Sequence, residues 1–504
     1  MAQAFHAKEK FASLDLGSNS FRLWIAELDG QGVLQPIANH KFPVRLAAGV
    51  GADGLLSDNA KGLALEVIES FAKIIREQNV DAVRAVATST FRVASNVSDL
   101  LSQAQLLLGI PVEVVSGHEE ARLIYKGAAR RLPEDGLDRL VIDIGGGSTE
   151  CVIGQGGRAK LVDSAAIGCV VLSSEFFPGG RVDKASMNAA VYRAEDFFAP
   201  LVGPYKRLGW SNAYGTSGTA KSLTQVAQTH FGSDELTRPV LAQMIQLLVT
   251  AGHVNDLHVD GLKSERRPVL AGGLAVMAAA FEEFGIESLR YCQGALRQGA
   301  LYDLIERRQG HDIQSASIEM LMRRYSVDAA QADRMATTAQ ELFEGVAEVV
   351  PARFVGPNFE GAGRALVQAA SLAEIGLAIS HEDFNKHSYY ILSQADIPGF
   401  SKPEQLLLAR LTQAQTGSIR PLKTQSGALF ELTMALCLRW ASILNRQRLS
   451  EKVMPPVIDW HEGRLRIQWS QRWHEQHPLT WATLQHEVAY WNNENSELSI
   501  ELVP

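Results

Sequence analysis

The sequence predicts an α/β protein: two similar α/β domains, then a helical region and a small α/β end piece. Three observations carry that reading. Residues 139–150, RLVIDIGGGSTE, run an apolar strand into a glycine turn, and Cys151, Val152 and Ile153 resume the strand at once. Residues 13–25, SLDLGSNSFRLWI, slide onto 141–153, VIDIGGGSTECVI, so that Asp15 falls on Asp143, Gly17 on Gly145 and Ser20 on Ser148. A strand–turn–strand hairpin repeated that far apart means two similar domains facing each other. Beyond about residue 310, strand signals thin out and helical periodicity takes over.

A chain of 504 residues is too long for one core and is expected to divide at 1–125, 126–310, 311–450 and 451–504. Hydrophobic residues at 46% and charged residues at 21% are those of a globular protein. A net charge of −8 gives no overall attraction to nucleic acid or to a membrane, so a polyanion needs a local basic patch. The four cysteines are scattered in apolar contexts without a CxxC pair, which reads as buried thiols in a reducing compartment. The N-terminal MAQAFHAKEK lacks the apolar core of a signal peptide, and no apolar run approaches the roughly 18 residues of a membrane span. The expected location is cytoplasmic.

After the first hairpin a third strand is expected at 34–44. A helix follows over 59–78, with Leu63, Val67, Ile68, Phe71 and Ile75 on one face, then strands at 83–88 and 112–115. Arg92, a lone cation after polar turn residues, reads on its own as a surface arginine pairing a carboxylate. In SGHEEARLIYKGAAR, Ser116 three residues ahead of Glu119 is a capping box that starts a helix. Glu120 lies in the first turn, where the helix N-terminus keeps a carboxylate ionised. It is either a general base for water or a residue that merely offsets the dipole. The second domain repeats the order: hairpin, strand at 160–167 and helix over 183–198. At 213–221, AYGTSGTAK places Ser217, Gly218 and Thr219 at a helix N-terminus, suited to an N-cap or a phosphate contact. Residues 270–281, LAGGLAVMAAAF, read as close helix packing, and a strand at 289–291 and a helix at 296–308 close the domain.

Helices are expected at 315–325, 328–349, 363–379, 403–415 and 426–445. His381 and His387 lack an HExxH or HD pattern and read as surface histidines. Between Lys402 and Lys452 there are eight Lys/Arg against three Asp/Glu, either a solvated face or a polyanion groove. Arg439, Arg446 and Arg448 are the candidates to line such a groove. The tail alternates at Leu465, Ile467 and Trp469 before a helix at 480–491 and a strand at 497–503. The chemistry implied by the two hairpins is a pair of amide-rich turns, each with an acid (Asp15, Asp143), clamping one phosphate and its Mg²⁺.

DLGSNS at 15–20, SGHEEARLIY at 116–125, VIDIGGGSTE at 141–150 and TSGT at 216–219 resemble the exopolyphosphatase/guanosine pentaphosphate phosphatase (Ppx/GppA) family. The likeness runs in order through 11–310 and more loosely beyond. It implies two RNase H-like domains of the actin, Hsp70 and sugar kinase superfamily, with a Mg²⁺-dependent phosphohydrolase site between them and an HD-like helical domain after them. By motif, Glu120 matches the catalytic glutamate, and Asp143 and Glu150 match acids near the metal, with Asp15 as a third. Gly17, Ser18, Asn19, Ser20, Gly145, Gly146, Gly147, Ser148, Thr149, Ser217, Gly218 and Thr219 match phosphate-facing loops, and Arg92 matches a basic residue that binds the phosphate. Ala373-Glu374 and Asn445 depart from the family's helical-domain pattern, which argues for a scaffold and against a second metal site. The resemblance also implies a homodimer. The expected activity is removal of the terminal phosphate of inorganic polyphosphate, with guanosine pentaphosphate as the alternative substrate. Arg22 and Arg266-Arg267 are candidates for a nucleotide pyrophosphate. SGHEEAR argues against a sugar or acetate kinase, and the full set of acids argues against a polyphosphate sensor without activity.

Overall fold

The structure, a computed structural model, describes residues 9–29, 34–51, 53–260, 262–309, 313–356, 358–420, 422, 429–449, 453–494 and 497–503. It forms two compact units, Met1–His311 and Asp312–Pro504.

The first unit holds two sheets. β1 (Lys10–Leu16), β2 (Ser20–Leu28) and β3 (Leu34–Pro43) lead into α1 (Asp58–Glu77). β4 (Ala82–Ala87), α2 (Ser89–Val93), α3 (Ser98–Leu108) and β5 (Val112–Val114) follow. These strands make a five-stranded sheet in the order β3-β2-β1-β4-β5. After α4 (Gly117–Ala129) come β6 (Asp138–Ile144), β7 (Thr149–Gln155) and β8 (Arg158–Ala165). Next are α5 (Cys169–Phe176), α6 (Lys184–Leu208), β9 (Asn212–Thr216) and α7 (Ser217–Phe231). β10 (Glu235–Thr237), α8 (Arg238–Ala251), α9 (Leu270–Phe284), β11 (Ser288–Tyr291) and α10 (Leu296–Arg308) complete the unit. The second sheet runs β10-β11-β9-β6-β7-β8. The repeat read from the sequence is therefore structural. In each sheet an antiparallel meander (β1–β3, β6–β8) is extended by a parallel strand on the far side of its first member, β4 beside β1 and β9 beside β6.

Local chemistry explains the elements. β6 reads as a continuous apolar run because both of its faces are covered, and Leu140, Val141 and Ile142 are fully buried. The Ser57 hydroxyl caps α1, whose buried stripe is Ala60, Ala64, Val67, Ile68 and Phe71, whereas Leu63 is exposed. α6 runs ten residues past its expected end at Phe198 because Pro200 and Pro204 are accommodated inside it. Gly272 and Gly273 do mark close packing: a Cβ on Gly272 would lie 2.5 Å from Cys169 O. α4 and α10 press still closer, since a Cβ on Gly127 would sit 2.1 Å from Ala295 O and one on Gly299 1.7 Å from Leu123 O.

The second unit is helical, with a three-stranded sheet from Val457–His461, Arg464–Gln468 and Ser499–Val503. Helices Ile313–Arg324, Ala329–Val349, Phe359–Ser371, Lys402–Ala414 and Leu429–Leu444 answer to the five expected ones. The third stops at Ser371, short of the expected 379, and Phe384–Gln394 is a helix that was not expected. One core runs from Ile318 through Trp440 to Leu465, Trp469 and Trp491.

Of the two readings of the basic stretch after Lys402, a groove lined by Arg439 does not match the structure. Arg439 is 4% exposed and grips Glu487 through two hydrogen bonds of 2.6 and 2.9 Å, with Nη1 donating to the carbonyls of Ala414 and Gly417. Arg448 pairs with Asp328 and Glu374, Arg410 with Glu431 and Arg420 with Glu494. Arg446 donates to Thr483 Oγ1. Among the described residues, Arg410, Arg420, Arg439 and Arg448 are each matched to a carboxylate and offer little charge to a groove. Lys423 and Lys452 lie outside the described residues. Among the described residues no helix is long and apolar enough to cross a membrane.

Candidate active site

The two hairpins turn at equivalent places. Asp15 pairs across the strands with Arg22, and Asp143 with Glu150. Gly17 and Gly145 hold matching corners, where a Cβ would approach Ser20 O to 3.1 Å and Ser148 O to 3.0 Å. The turns also meet: a Cβ on Gly146 would lie 3.4 Å from both Ser18 and Asn19, and one on Gly147 2.7 Å from Ser89 Oγ. Ser18 Oγ accepts the Thr90 N–H at 3.2 Å, which ties the first turn to α2. Between the turns lies a cleft of about 100 Å³ into which Asp15, Glu120, Asp143, Ser217 and Gly218 also project.

α4 delivers Glu120. Ser116 Oγ caps the helix by accepting the Glu119 N–H, and Glu120 in the first turn is 7% exposed. Arg92 Nη1 donates to Glu120 Oε2 at 2.7 Å and to Val115 O at 2.9 Å. The expectation that the helix terminus governs Glu120 needs correction. Burial pushes its carboxyl up, Arg92 draws it back down, and Asp15 and Asp143 add to the rise.

Asp143 is held by hydroxyls. Thr216 Oγ1 and Ser217 Oγ donate to its Oδ2 at 2.6 and 2.7 Å. Ser217 opens α7 at φ 64°, a left-handed conformation unusual for a non-glycine residue and concentrated at functional sites. Burial raises the carboxyls of Asp15, Asp143 and Glu150, most of all Glu150, on which Glu120 and Asp143 also press. Asp15 and Asp143, which line the cleft, are the carboxylates that could hold a divalent cation. Among the described residues no three acidic, His or Cys side chains form a ready-made cage.

Several expected contacts fall elsewhere. Arg92, expected on the phosphate, does not line the cleft and donates instead to Glu120 and to the Val115 carbonyl. Thr149 Oγ1 donates to Ile167 O at 2.6 Å and Thr219 Oγ1 to Ile144 O at 3.0 Å, so both hydroxyls brace backbone behind the turns and neither residue lines the cleft. Glu150 is 1% exposed and accepts Ser164 Oγ at 2.8 Å, set back from the cleft wall. Of the Arg266-Arg267 pair only Arg266 faces the cleft, lying over Gly218 where a Cβ would meet Nη2 at 1.8 Å. Arg267 donates instead to the carbonyls of Asn255 and Leu257.

Arg297 and Ser89 were missed. Ser89 sat in the polar TSTFR turn that drew attention to Arg92, whereas nothing in ALRQG set Arg297 apart from a surface arginine. A cavity of about 950 Å³ adjoins the cleft, sharing Asp15, Arg22 and Arg266 with it and adding Lys41, Lys221, Arg297, Trp24 and Tyr291. Lys41 is paired with Glu265. Burial and the nearby Arg22 push the Arg297 guanidinium down to about 10. Burial likewise lowers Arg22, with Arg266 opposing its charge. Closely spaced, desolvated cations in a cavity wall make an anion receptor.

Comparison with known proteins shows the family. Residues 24–308 match the Ppx/GppA phosphatase family and residues 313–488 match Ppx/GppA phosphatase, domain III. The guanosine-5′-triphosphate,3′-diphosphate pyrophosphatase of Aeromonas hydrophila is 33% identical over 488 residues, 96% of this chain and 97% of its own. An Aquifex aeolicus member of the Ppx/GppA family superposes with a TM-score of 0.50 at 25% identity, over 60% of this chain and 98% of its own. An exopolyphosphatase from Cytophaga hutchinsonii shares the fold, with a TM-score of 0.54 at 24% identity over 59% of this chain and 98% of its own. Motifs, paired hairpins and full-length kinship converge, and the chain belongs to the Ppx/GppA phosphatase family.

Proposed function

We propose that this phosphatase removes the 5′-terminal phosphate of guanosine pentaphosphate and leaves the tetraphosphate. The observation that carries the reading is the cavity beside the cleft, where Arg22, Arg266 and Arg297 accompany Trp24 and Tyr291. Cations with aromatic walls suit a nucleotide that bears phosphates at two positions. The full-length likeness to a guanosine-5′-triphosphate,3′-diphosphate pyrophosphatase supports the same substrate. Inorganic polyphosphate is the second reading, favoured by the same row of cations taken without the aromatic walls.

In the reaction Glu120 takes a proton from water as the water oxygen bonds to the terminal phosphorus and the bridging P–O bond breaks. Orthophosphate leaves, and the bridging oxygen stays with the shortened chain. Arg92 fixes the Glu120 carboxylate at 2.7 Å, and the turns at 17–20 and 145–148 line the cleft that would receive the phosphoryl group. Asp15 and Asp143 would hold Mg²⁺, which when bound neutralises phosphate charge. A base whose pKa burial has raised towards the working pH is suited to take the proton. Phosphate release from guanosine pentaphosphate, long polyphosphate and ATP, with and without Mg²⁺, tests the reading. The expected kcat/KM for pentaphosphate exceeds that for polyphosphate by about tenfold, or ~1.4 kcal/mol. The reverse order selects polyphosphate, and no release from either sinks both.

A further inference from the structure

The cleft rests on a buried ionic cluster that takes no direct part in the chemistry. Asp303 on α10 is 1% exposed. Its Oδ1 accepts Arg122 Nη2 at 2.7 Å and Lys126 Nζ at 3.1 Å, and its Oδ2 accepts Arg84 Nη1 at 2.7 Å and Arg307 Nε at 2.8 Å. Burial pushes the Asp303 carboxyl up, but Arg122, Arg84, Arg307 and Lys126 outweigh it and hold the group far below the usual carboxylate range. Asp303 is therefore a permanent anion.

Three of the four donors come from elements that carry the site, and the fourth, Arg307, lies on α10 itself. Arg84 is on β4, which runs into α2 and Arg92. Arg122 and Lys126 are on α4, and Arg122 follows Glu120 by two residues. Arg122 Nε and Nη2 hold both oxygens of Glu119 at 2.7 Å, and Arg84 grips Glu113 on β5. α10 cannot slide over α4, because Gly127 and Gly299 bring the two backbones into contact.

We infer that Asp303 is a positioning residue: through Arg84 and Arg122 it fixes β4 against α4, and thereby the placement of Arg92 against Glu120. The inference rests on the reading of Glu120 as general base. Removing the Asp303 charge takes away the carboxylate that links Arg84 to Arg122 and leaves one positive charge in excess in the cluster. Glu113 and Glu119 still hold the two arginines, but the Arg92–Glu120 hydrogen bond loosens. A misplacement of about 1 Å near the reacting atoms costs on the order of 10²-fold in rate. Glu120 also loses the cation that draws its pKa down, so its pKa rises. Because the base works deprotonated, the acidic limb of the rate profile moves to higher pH.

The test uses the full chain with guanosine pentaphosphate, or polyphosphate if that proves to be the substrate, below the melting temperature of each variant. Asp303→Asn should lower kcat by about 10²-fold with KM within about twofold, and shift the acidic limb upward. Asp303→Glu keeps the charge and should recover most of the limb position. Arg122→Lys, which keeps charge but loses the two-point grip on Glu119, should give a smaller shift in the same direction and carries the test if Asp303→Asn does not fold. A limb that stays in place while activity falls only with the folded fraction would overturn the inference. Glu120→Gln run in parallel separates the two failures. If that variant is inactive and the Asp303 limb is unmoved, only the positioning role falls. If it keeps more than half of its turnover, the base assignment falls first.

Discussion

In the β1–β2 hairpin Asp15 faces Arg22 across the strands, and in the β6–β7 hairpin the equivalent Asp143 faces Glu150. The glycine corners match to within 0.1 Å of a hypothetical Cβ contact, and both acids are raised by burial. The cross-strand partner is what differs. Arg22 joins Arg266 in the wall of the adjoining cavity, whereas Glu150 lies behind the cleft under α4, bonded to Ser164. Duplication thus supplied one backbone cradle twice, and a single cross-strand position divides the labour. The first copy adds a cation to the cavity wall, and the second concentrates negative charge beside Glu120.

The largest effect should come from the group that both acids press upon. Glu120→Gln keeps the shape and removes the proton acceptor, and kcat should drop about 10²–10⁴-fold with KM little changed in a phosphate-release assay. Turnover above half of wild type would end the division of labour proposed here.

Next come the paired acids. Asp15→Asn and Asp143→Asn should each raise the Mg²⁺ concentration for half-maximal activity by about tenfold or more, as loss of one anionic ligand predicts. A Mg²⁺ titration that moves for one and not the other would show that the copies are unequal in metal binding too.

Arg22→Met breaks the comparison on its basic side. A charge-assisted contact of about 1.5–3 kcal/mol is lost, so KM for pentaphosphate should rise at least about tenfold, with kcat falling less. Loss confined to kcat would place Arg22 with the chemistry.

Glu150→Gln should give the smallest effect, and on stability. The Glu150 carboxyl is raised well above its ordinary value, so between its unfolded and folded pKa the native state binds more protons than the unfolded chain. Its stabilising contribution is then complete below the unfolded value and is lost as pH rises through the folded one. At neutral pH the amide removes the penalty of a buried charge, and the melting temperature of the metal-free protein should rise by about 2–4 °C. The gain should vanish in acid, where Glu150 is protonated anyway. An equal gain at all pH values would trace the effect to packing.

The sequence by itself determined the duplicated α/β architecture, because a strand buried on both faces must be continuously apolar and a tight turn must be glycine-rich, and both marks survive in the linear order. It also determined the short-range placements: Ser116 capping the helix of Glu120, and Ser217 at a helix start. What it left open was decided by contacts between residues far apart in the chain. Arg92 reached Glu120, 28 residues on, and Arg297 joined Arg22 only once β2 and α10 stood side by side. Arg439 went the other way, from candidate groove to buried staple, because Glu487 lay 48 residues downstream. An arginine reads the same in sequence whether it awaits a ligand or already holds a carboxylate. Only the tertiary structure says which, since the answer depends on whether folding brings a counter-charge within about 4 Å.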